Sequence, residues 1–155
     1  MVGITTAQEY RVKVEDDLAK LRAESANSSL AINAVTFTYH LHEWLWAKLL
    51  KPQKPATVRG TAIRSKKEWL DWLDSNCPYF GLVQDLTNGT KHANPVQSEK
   101  VEGFGVGPFG VGPWGKPYLL IDLGPASQAN RYLVANEIID AAGTFMTALA
   151  KELGA

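Results

Sequence analysis

Residues 29–50, SLAINAVTFTYHLHEWLWAKLL, decide the fold of this chain, because their apolar side chains recur at helical spacing on two sides of one helix. One row contains Ile32, Val35, Tyr39, His42, Trp46 and Leu49, and the second row contains Leu30, Ala34, Phe37, Leu41 and Leu45. A helix with two apolar rows has much of its circumference buried. We therefore expect a central helix, or a helix that is shared with a dimer partner.

Capping signals mark the helices on either side of this stretch. Thr5 or Thr6, followed by Glu9, has the spacing of a capping box and predicts a first helix that ends near residues 25–29. Ser65, followed three residues later by Glu68, begins a third helix in the same way. Residues 51–67 hold two prolines, one glycine and six cations without one acid, and they are predicted to form a loop.

A fourth helix is expected after the Cys77-Pro78 dipeptide. Proline disfavours helix in the preceding residue and suits the first turn of a new helix. The third helix should therefore end near Cys77, and the fourth should continue to about His92, before Asn94-Pro95.

The pattern changes at residues 96–124. Residues 105–110 (GVGPFG) and 111–115 (VGPWG) form a near-exact tandem repeat whose glycine and proline content rules out a helix. The flanking residues 96–101 and 118–123 have the character of strands. They predict a β-hairpin with a long glycine-rich tip.

The last helix is predicted to begin at Pro125 or Ser127. Its apolar face contains Leu133, Ile138, Ile139, Ala142, Phe145, Met146, Leu149 and Leu153. The expected fold is mainly α: an antiparallel bundle of four to five helices, with the β-hairpin inserted before the last helix. No second core is visible, so residues 1–155 are expected to form one domain.

Composition narrows the functional classes. Lysine plus arginine and aspartate plus glutamate both count 16, so the net charge of zero favours neither nucleic acid nor a membrane, and any nucleic-acid binding needs a local patch. Cys77 is the single cysteine, which excludes an intramolecular disulfide scaffold. No signal peptide and no apolar run of membrane-spanning length is recognisable, so we expect a cytoplasmic protein without a membrane partner.

Asp85, Asn88 and His92 are the candidate catalytic residues. Their offsets of three and seven residues place the three side chains within roughly 60° on one helix face. A histidine there can act as general acid or base, Asp85 can orient it, and Asn88 can bridge the two or bind substrate. The structural alternative is that the three side chains cap the helix or satisfy buried polar groups.

A metal site is the second chemical possibility, and it would require His42 to meet His92 and a carboxylate. His40 and His42 lie roughly 200° apart on a helix and cannot chelate one ion from the same face. A core His42 that is hydrogen-bonded to a neighbouring helix is the favoured interpretation. We expect no metal and no cofactor.

Two further segments suggest partners. Residues 105–115 lack the lysine and hydroxyl residues of a phosphate-binding loop and are interpreted as an arm that exposes Phe104, Phe109 and Trp114 to a protein partner or a second copy. The basic residues 51–67 can attract phosphate, although a solvated loop is the simpler interpretation.

The layout resembles uncharacterised bacterial and phage-type helical proteins with an Asp-x-x-Asn-x-x-Lys-His stretch. The matching parts here are residues 40–46 (HLHEWLW), Cys77-Pro78 and residues 85–92 (DLTNGTKH). More remotely, the chain resembles the HEPN superfamily, helical bundles that include RNA-cleaving toxins and their inactive relatives. Those proteins carry an arginine a few residues before a histidine, at a dimer interface where two copies form one site.

His92 matches that histidine, but Asp85, Leu86 and Thr87 occupy the positions of the arginine. The cation that would stabilise a phosphoryl transition state is therefore missing. The resemblance implies a homodimer that binds or processes RNA through Asp85, Asn88 and His92, or a non-catalytic member of the group. An interaction module that uses the glycine-rich arm and a metal-dependent bundle enzyme are the alternatives.

Overall fold

Five α-helices and two small β-sheets make up the described part of the chain. The computed structural model describes residues 3–92, 97–101, 108, 110–113, 116–125 and 131–155. The helices are α1 (Ala7–Ala23), α2 (Ser28–Leu45), α3 (Lys66–Asn76), α4 (Phe80–His92) and α5 (Ala135–Glu152). The strands are β1 (Ala56–Val58), β2 (Thr61–Ile63), β3 (Gln97–Val101), β4 (Tyr118–Asp122) and β5 (Tyr132–Val134). The predicted helical bundle with a hairpin before its last helix is confirmed.

The helices begin where the capping signals predict. The Thr6 side chain accepts from the Glu9 backbone N–H at 3.1 Å, and the Glu9 carboxylate accepts from the Thr6 N–H, which completes a capping box. Ser65 caps α3 by accepting from the Glu68 N–H at 3.1 Å. Asn27 caps α2. These local bonds satisfy backbone donors that would otherwise lack partners.

The main core lies between α1, α2 and α5. Val14, Leu41 and Leu149 are completely buried there. The three helices meet at Gly143 of α5, where an added Cβ would lie 2.7 Å from Leu18 Cδ1 and 3.1 Å from Thr38 Oγ1. The predicted central position of α2 is confirmed, since it contacts α1, α4 and α5.

The end of α2 differs from a regular helix. Trp46–Leu50 form a π-helical turn, followed by a 3₁₀ turn at Lys51–Gln53. The Trp69 indole Nε1 donates to the backbone oxygen of His42 at 3.1 Å, just before this turn. The bond fixes α3 against α2.

The prediction of a plain loop over residues 51–67 was wrong, because this segment contains the β1–β2 hairpin. The strands pair with Val58 opposite Thr61, and Arg59 and Gly60 form the two-residue turn with φ of 45° and 83°. Positive φ at both positions matches the right-handed twist of the strands. Burial of Val58 and Ile63 in the main core stabilises the hairpin.

The predicted strands of residues 96–101 and 118–123 form β3 and β4, which pair antiparallel from Gln97 opposite Asp122 to Val101 opposite Tyr118. The predicted start of the last helix at Pro125 or Ser127 was wrong. Ser127 lies outside the described residues, and α5 begins at Ala135.

A third strand, β5, occupies part of the segment that was assigned to the last helix. Leu133 therefore belongs to β5 and pairs with Ile121 of β4 instead of lying on the helix. Arg131 donates two hydrogen bonds, of 2.7 and 2.8 Å, to the Asp122 carboxylate and lowers the pKa of Asp122 to about 2. This pair joins the last residue of β4 to the residue that precedes β5.

The β4 strand is buried on both faces. Leu119 and Ile121 join the main core, whereas Tyr118 and Leu120 belong to a smaller cluster that includes Val111. The Tyr118 hydroxyl donates to the Val111 backbone oxygen at 2.9 Å. The described part of the glycine-rich segment therefore packs on the sheet, while Phe104, Phe109 and Trp114 lie outside the described residues.

Within the described residues, no helix combines the length and apolar character that a membrane span needs.

Candidate functional site

Helix α4 lies antiparallel to α2 and presents its opposite face to solvent. The Phe80 ring lies 5.6 Å from the His42 ring, and Gln84 Nε2 donates to the Tyr39 hydroxyl at 2.9 Å. One turn further along α4, Thr87 is buried and its hydroxyl donates to the Val35 backbone oxygen at 3.4 Å. These contacts fix the rotation of α4 and determine which of its side chains point outwards.

Asp85 and Asn88 lie on the outer face, one turn apart, and both are exposed. Neither side chain forms a hydrogen bond or an ion pair with another residue that the structure describes. His92 is the last residue of α4, and its side chain lies outside the described residues. The structure thus brings together two of the three predicted site residues in the predicted helix.

The second half of α4 contains consecutive residues that are poor helix formers. Thr87, Asn88, Gly89 and Thr90 follow one another inside α4. Relative to alanine, glycine costs about 1 kcal/mol in a helix interior, and threonine or asparagine costs up to about 0.7 kcal/mol each. A local preference that opposes the global fold is typical of functional positions.

His42 has a structural role. Its side chain is 2% exposed, and its Nδ1 donates to the Tyr39 backbone oxygen in the same helix. Burial lowers the pKa of His42, although the hydrogen bond to Tyr39 opposes this shift. The predicted hydrogen bond of the His42 side chain to a neighbouring helix was wrong, because Nδ1 bonds within α2. The contact with α3 is made by the backbone oxygen of His42, which accepts from Trp69 Nε1 at 3.1 Å.

The other titratable groups of the core do not form a metal centre. His40 Nδ1 lies 3.3 Å from Glu43 Oε2 on the partly exposed side of α2. Cys77 is buried, and burial raises the pKa of its thiol to about 12. Among the described residues, no group of three or more His, Cys, Asp and Glu side chains is placed to hold a metal ion.

The connection from α2 to α3 carries four lysines, Lys48, Lys51, Lys54 and Lys66, and we call this set the basic end. The first three follow one another at three-residue spacing where α2 ends, and Lys66 begins α3. All four are exposed, and none forms an ion pair with another described residue.

The remaining cations of the basic segment have acidic partners. Arg59 makes two bonds to Glu152 at 2.7 and 2.9 Å, and Lys67 Nζ lies 2.6 Å from Asp71 Oδ2. Arg64 lies 3.8 Å from Glu68. Three of the six cations of the predicted basic loop are therefore paired with acidic residues of the fold. The cations without such a partner belong to the basic end.

The basic end and the outer face of α4 lie at different levels of the bundle. Phe80, at the start of α4, packs beside His42, six residues before Lys48. With a rise of 1.5 Å per residue, Asp85 and Asn88 lie about 8 and 12 Å further along α4. A ligand that touches both features must extend along the surface of α4.

Tyr79 is a candidate that the sequence did not indicate. It lies between Cys77-Pro78 and α4, its side chain is 49% exposed, and its φ is +58°. The left-handed region is rare for bulky residues. No sequence signal at this position distinguishes it from an ordinary loop tyrosine.

Comparison of the chain with protein-family models, with curated proteins and with solved structures gives no significant match.

Proposed function

We propose that this chain binds RNA, with the basic end contacting phosphates and the outer face of α4 contacting bases. The observation that carries the proposal is the set of four exposed lysines of the basic end, none of which forms an ion pair with another described residue. Phosphate contacts provide affinity without sequence preference, whereas contacts to bases provide selectivity.

The outer face of α4 suits bases better than phosphates. The Asp85 carboxylate only accepts hydrogen bonds, and the Asn88 amide both accepts and donates them. Amino groups on unpaired bases are matching donors for a carboxylate, and a phosphate is not. The exposure of both side chains leaves these groups open to a ligand.

RNA binding without cleavage is the simplest form of the proposal. Asp85 and Thr87 stand where the HEPN motif would place its arginine, and Thr87 is buried against α2. No cation at these positions can stabilise charge on a transferring phosphoryl group. Incubation of the protein with labelled RNA should therefore leave the RNA intact under conditions in which it binds.

The first test removes the charge of the basic end. Lys51→Gln, Lys54→Gln and Lys66→Gln are combined, and binding of labelled RNA is followed by fluorescence anisotropy at several salt concentrations. The binding constant falls with salt, and each lost phosphate contact should make the slope of log K against log salt less negative by about 0.7. For the triple variant we expect a slope that is less negative by about 2, together with weaker binding.

The matched control removes three lysines elsewhere. Lys20→Gln, Lys116→Gln and Lys151→Gln change the net charge by the same amount, and all three side chains are exposed. The control should keep the salt slope of the unaltered protein. Equal losses in the two triple variants would show attraction to net charge alone, and absence of binding by the unaltered protein would overturn the proposal.

The second test addresses the outer face of α4. Asn88→Ala should weaken binding while leaving the salt slope unchanged, because it removes a contact to a base and not to a phosphate. Asn33→Ala is the control, since Asn33 is an exposed asparagine on α2. An unchanged affinity for Asn88→Ala would remove α4 from the proposed site.

Homodimer formation belongs to the same proposal. The HEPN resemblance places the motif at a dimer interface, and the outer face of α4 is exposed in the single chain. Sedimentation equilibrium with and without RNA tests this part. A monomer in both conditions would contradict the dimer and leave RNA binding to be judged by the anisotropy measurements.

A further inference from the structure

Tyr79 combines exposure with a strained backbone. Its φ of +58° lies in the left-handed region, which glycine adopts readily and which places Cβ close to a backbone oxygen in other residues. Its side chain is 49% exposed and makes no ring contact or hydrogen bond with another described residue. No ring contact or side-chain hydrogen bond within the described residues therefore compensates the strain.

The backbone of Tyr79 is fixed by its neighbours on both sides. Cys77 and Phe80 are buried in the core, and the Tyr79 carbonyl accepts from the Val83 N–H at 2.9 Å to start α4. Glycine would adopt this conformation without the steric cost. A bulky, exposed aromatic residue at such a position is therefore a reason to look for a role outside the fold.

The surroundings of Tyr79 identify the kind of ligand. On one side, Phe80 packs on His42, whose backbone binds Trp69 of α3, the helix that Lys66 begins. On the other side, α4 continues to Asp85 and Asn88. Along the axis of α4, Tyr79 precedes the helix at the end that lies beside His42, so a ligand that extends from the basic end along α4 reaches the level of Tyr79 before that of Asp85 and Asn88.

We propose that Tyr79 stacks on an unpaired base, so that the RNA bound by this chain is single-stranded. The inference rests on the proposed RNA binding and adds the substrate class. Every base has a flat aromatic face, and only an unpaired base can leave its own stack to lie on a protein side chain. Asp85 and Asp74 are exposed carboxylates near the start of α4, where Asp74 Oδ1 lies 3.7 Å from the position of a Cβ added at Gly81, so the proposal assigns the phosphates to the basic end and not to this part of the surface.

The test uses three substitutions of Tyr79. Tyr79→Phe keeps both the aromatic ring and the strain, Tyr79→Ala removes the ring, and Tyr79→Gly removes the ring and the strain. Binding is measured by anisotropy with a labelled single-stranded RNA of about twelve nucleotides and with the same strand annealed to its complement. Thermal unfolding is measured for each protein.

The expected pattern separates binding from stability. Tyr79→Ala and Tyr79→Gly should both lower the affinity for single-stranded RNA by about 5- to 150-fold, the range that stacking of one base provides. Tyr79→Phe should bind like the unaltered protein. Tyr79→Gly should nevertheless melt about 2–4 °C higher, because it relieves the strain.

Each contrary result has its own meaning. If Tyr79→Ala binds single-stranded RNA normally while the basic-end triple variant loses binding, the stacking role is wrong and the proposed function stands. If the unaltered protein binds no RNA, both fail. If Tyr79→Ala loses binding to the duplex as much as to the single strand, the assignment to unpaired bases is overturned.

Discussion

Replacement of Gly143 by alanine tests the packing of the three longest helices. Gly143 lies inside α5, where alanine is normally favoured over glycine by about 1 kcal/mol. Here an added Cβ would lie 2.7 and 2.8 Å from the two Leu18 methyl groups and 3.1 Å from Thr38 Oγ1. Leu18 is 2% exposed and has little room to move.

Two opposing contributions determine how much Gly143→Ala changes the free energy of unfolding. Overpacking of a core costs about 1–3 kcal/mol, and the helix preference of alanine returns about 1 kcal/mol. We expect Gly143→Ala to lower the free energy of unfolding by up to about 2 kcal/mol. Gly81→Ala is the control, because the nearest atom to its added Cβ is Asp74 Oδ1 at an ordinary 3.7 Å. That variant should be neutral or more stable.

The assay is urea unfolding followed by tryptophan fluorescence, extended to a double-mutant cycle with Leu18→Ala. Leu18→Ala alone should cost about 2–5 kcal/mol. In the presence of Gly143→Ala, the Leu18→Ala substitution should cost about 1–3 kcal/mol less, because alanine at position 18 leaves room for the methyl group added at position 143. Equal stabilisation by Gly143→Ala and Gly81→Ala, with additive effects of Leu18→Ala, would refute the close approach of the helices.

Three other substitutions test separate parts of the fold. Thr6→Ala should lower the free energy of unfolding by about 1 kcal/mol, measured by urea unfolding, because it removes the capping box of α1. Gly112→Ala should lower the melting temperature, because φ is +78° and the added Cβ would lie 2.6 Å from the Tyr118 ring; an unchanged melting temperature would place the glycine-rich segment away from the sheet. His42 has a folded-state pKa below its ordinary 6.5, so the unfolded chain takes up the proton first and stability falls as the pH drops below 6.5. His42→Leu should flatten the stability profile between about pH 7.5 and 5, while the half-buried control His40→Gln should leave that His42-dependent fall in place.

The helices were predictable because their signals are local. Thr6 and Ser65 cap their helices through bonds to residues three positions later, and such spacing is visible in the sequence. The outward position of Asp85 and Asn88 follows from the helical period once α4 is recognised. These features need no knowledge of distant parts of the chain.

The short strands were not predictable from their own residues. Each strand of the β1–β2 hairpin has three residues, and its turn uses Arg59 where asparagine or aspartate is usual. The β5 strand has an apolar pattern that continues into α5, and its pairing with β4 is accompanied by the contact of Arg131 with Asp122. Long-range contacts selected these structures over the local alternatives.

Three residues adopt a backbone conformation that their residue type disfavours, and they differ in whether their side chains make compensating contacts. Arg59 adopts a positive φ, but its guanidinium makes two bonds to Glu152 and lies 5.0 Å from the centre of the Phe145 ring. Tyr79 and Asn88 also oppose local preference, and their exposed side chains make no compensating contact with another described residue. Both belong to the same stretch of chain, the start and the outer face of α4. Since uncompensated conflicts collect at functional positions, Tyr79 and Asn88 support the proposed RNA site at this part of α4.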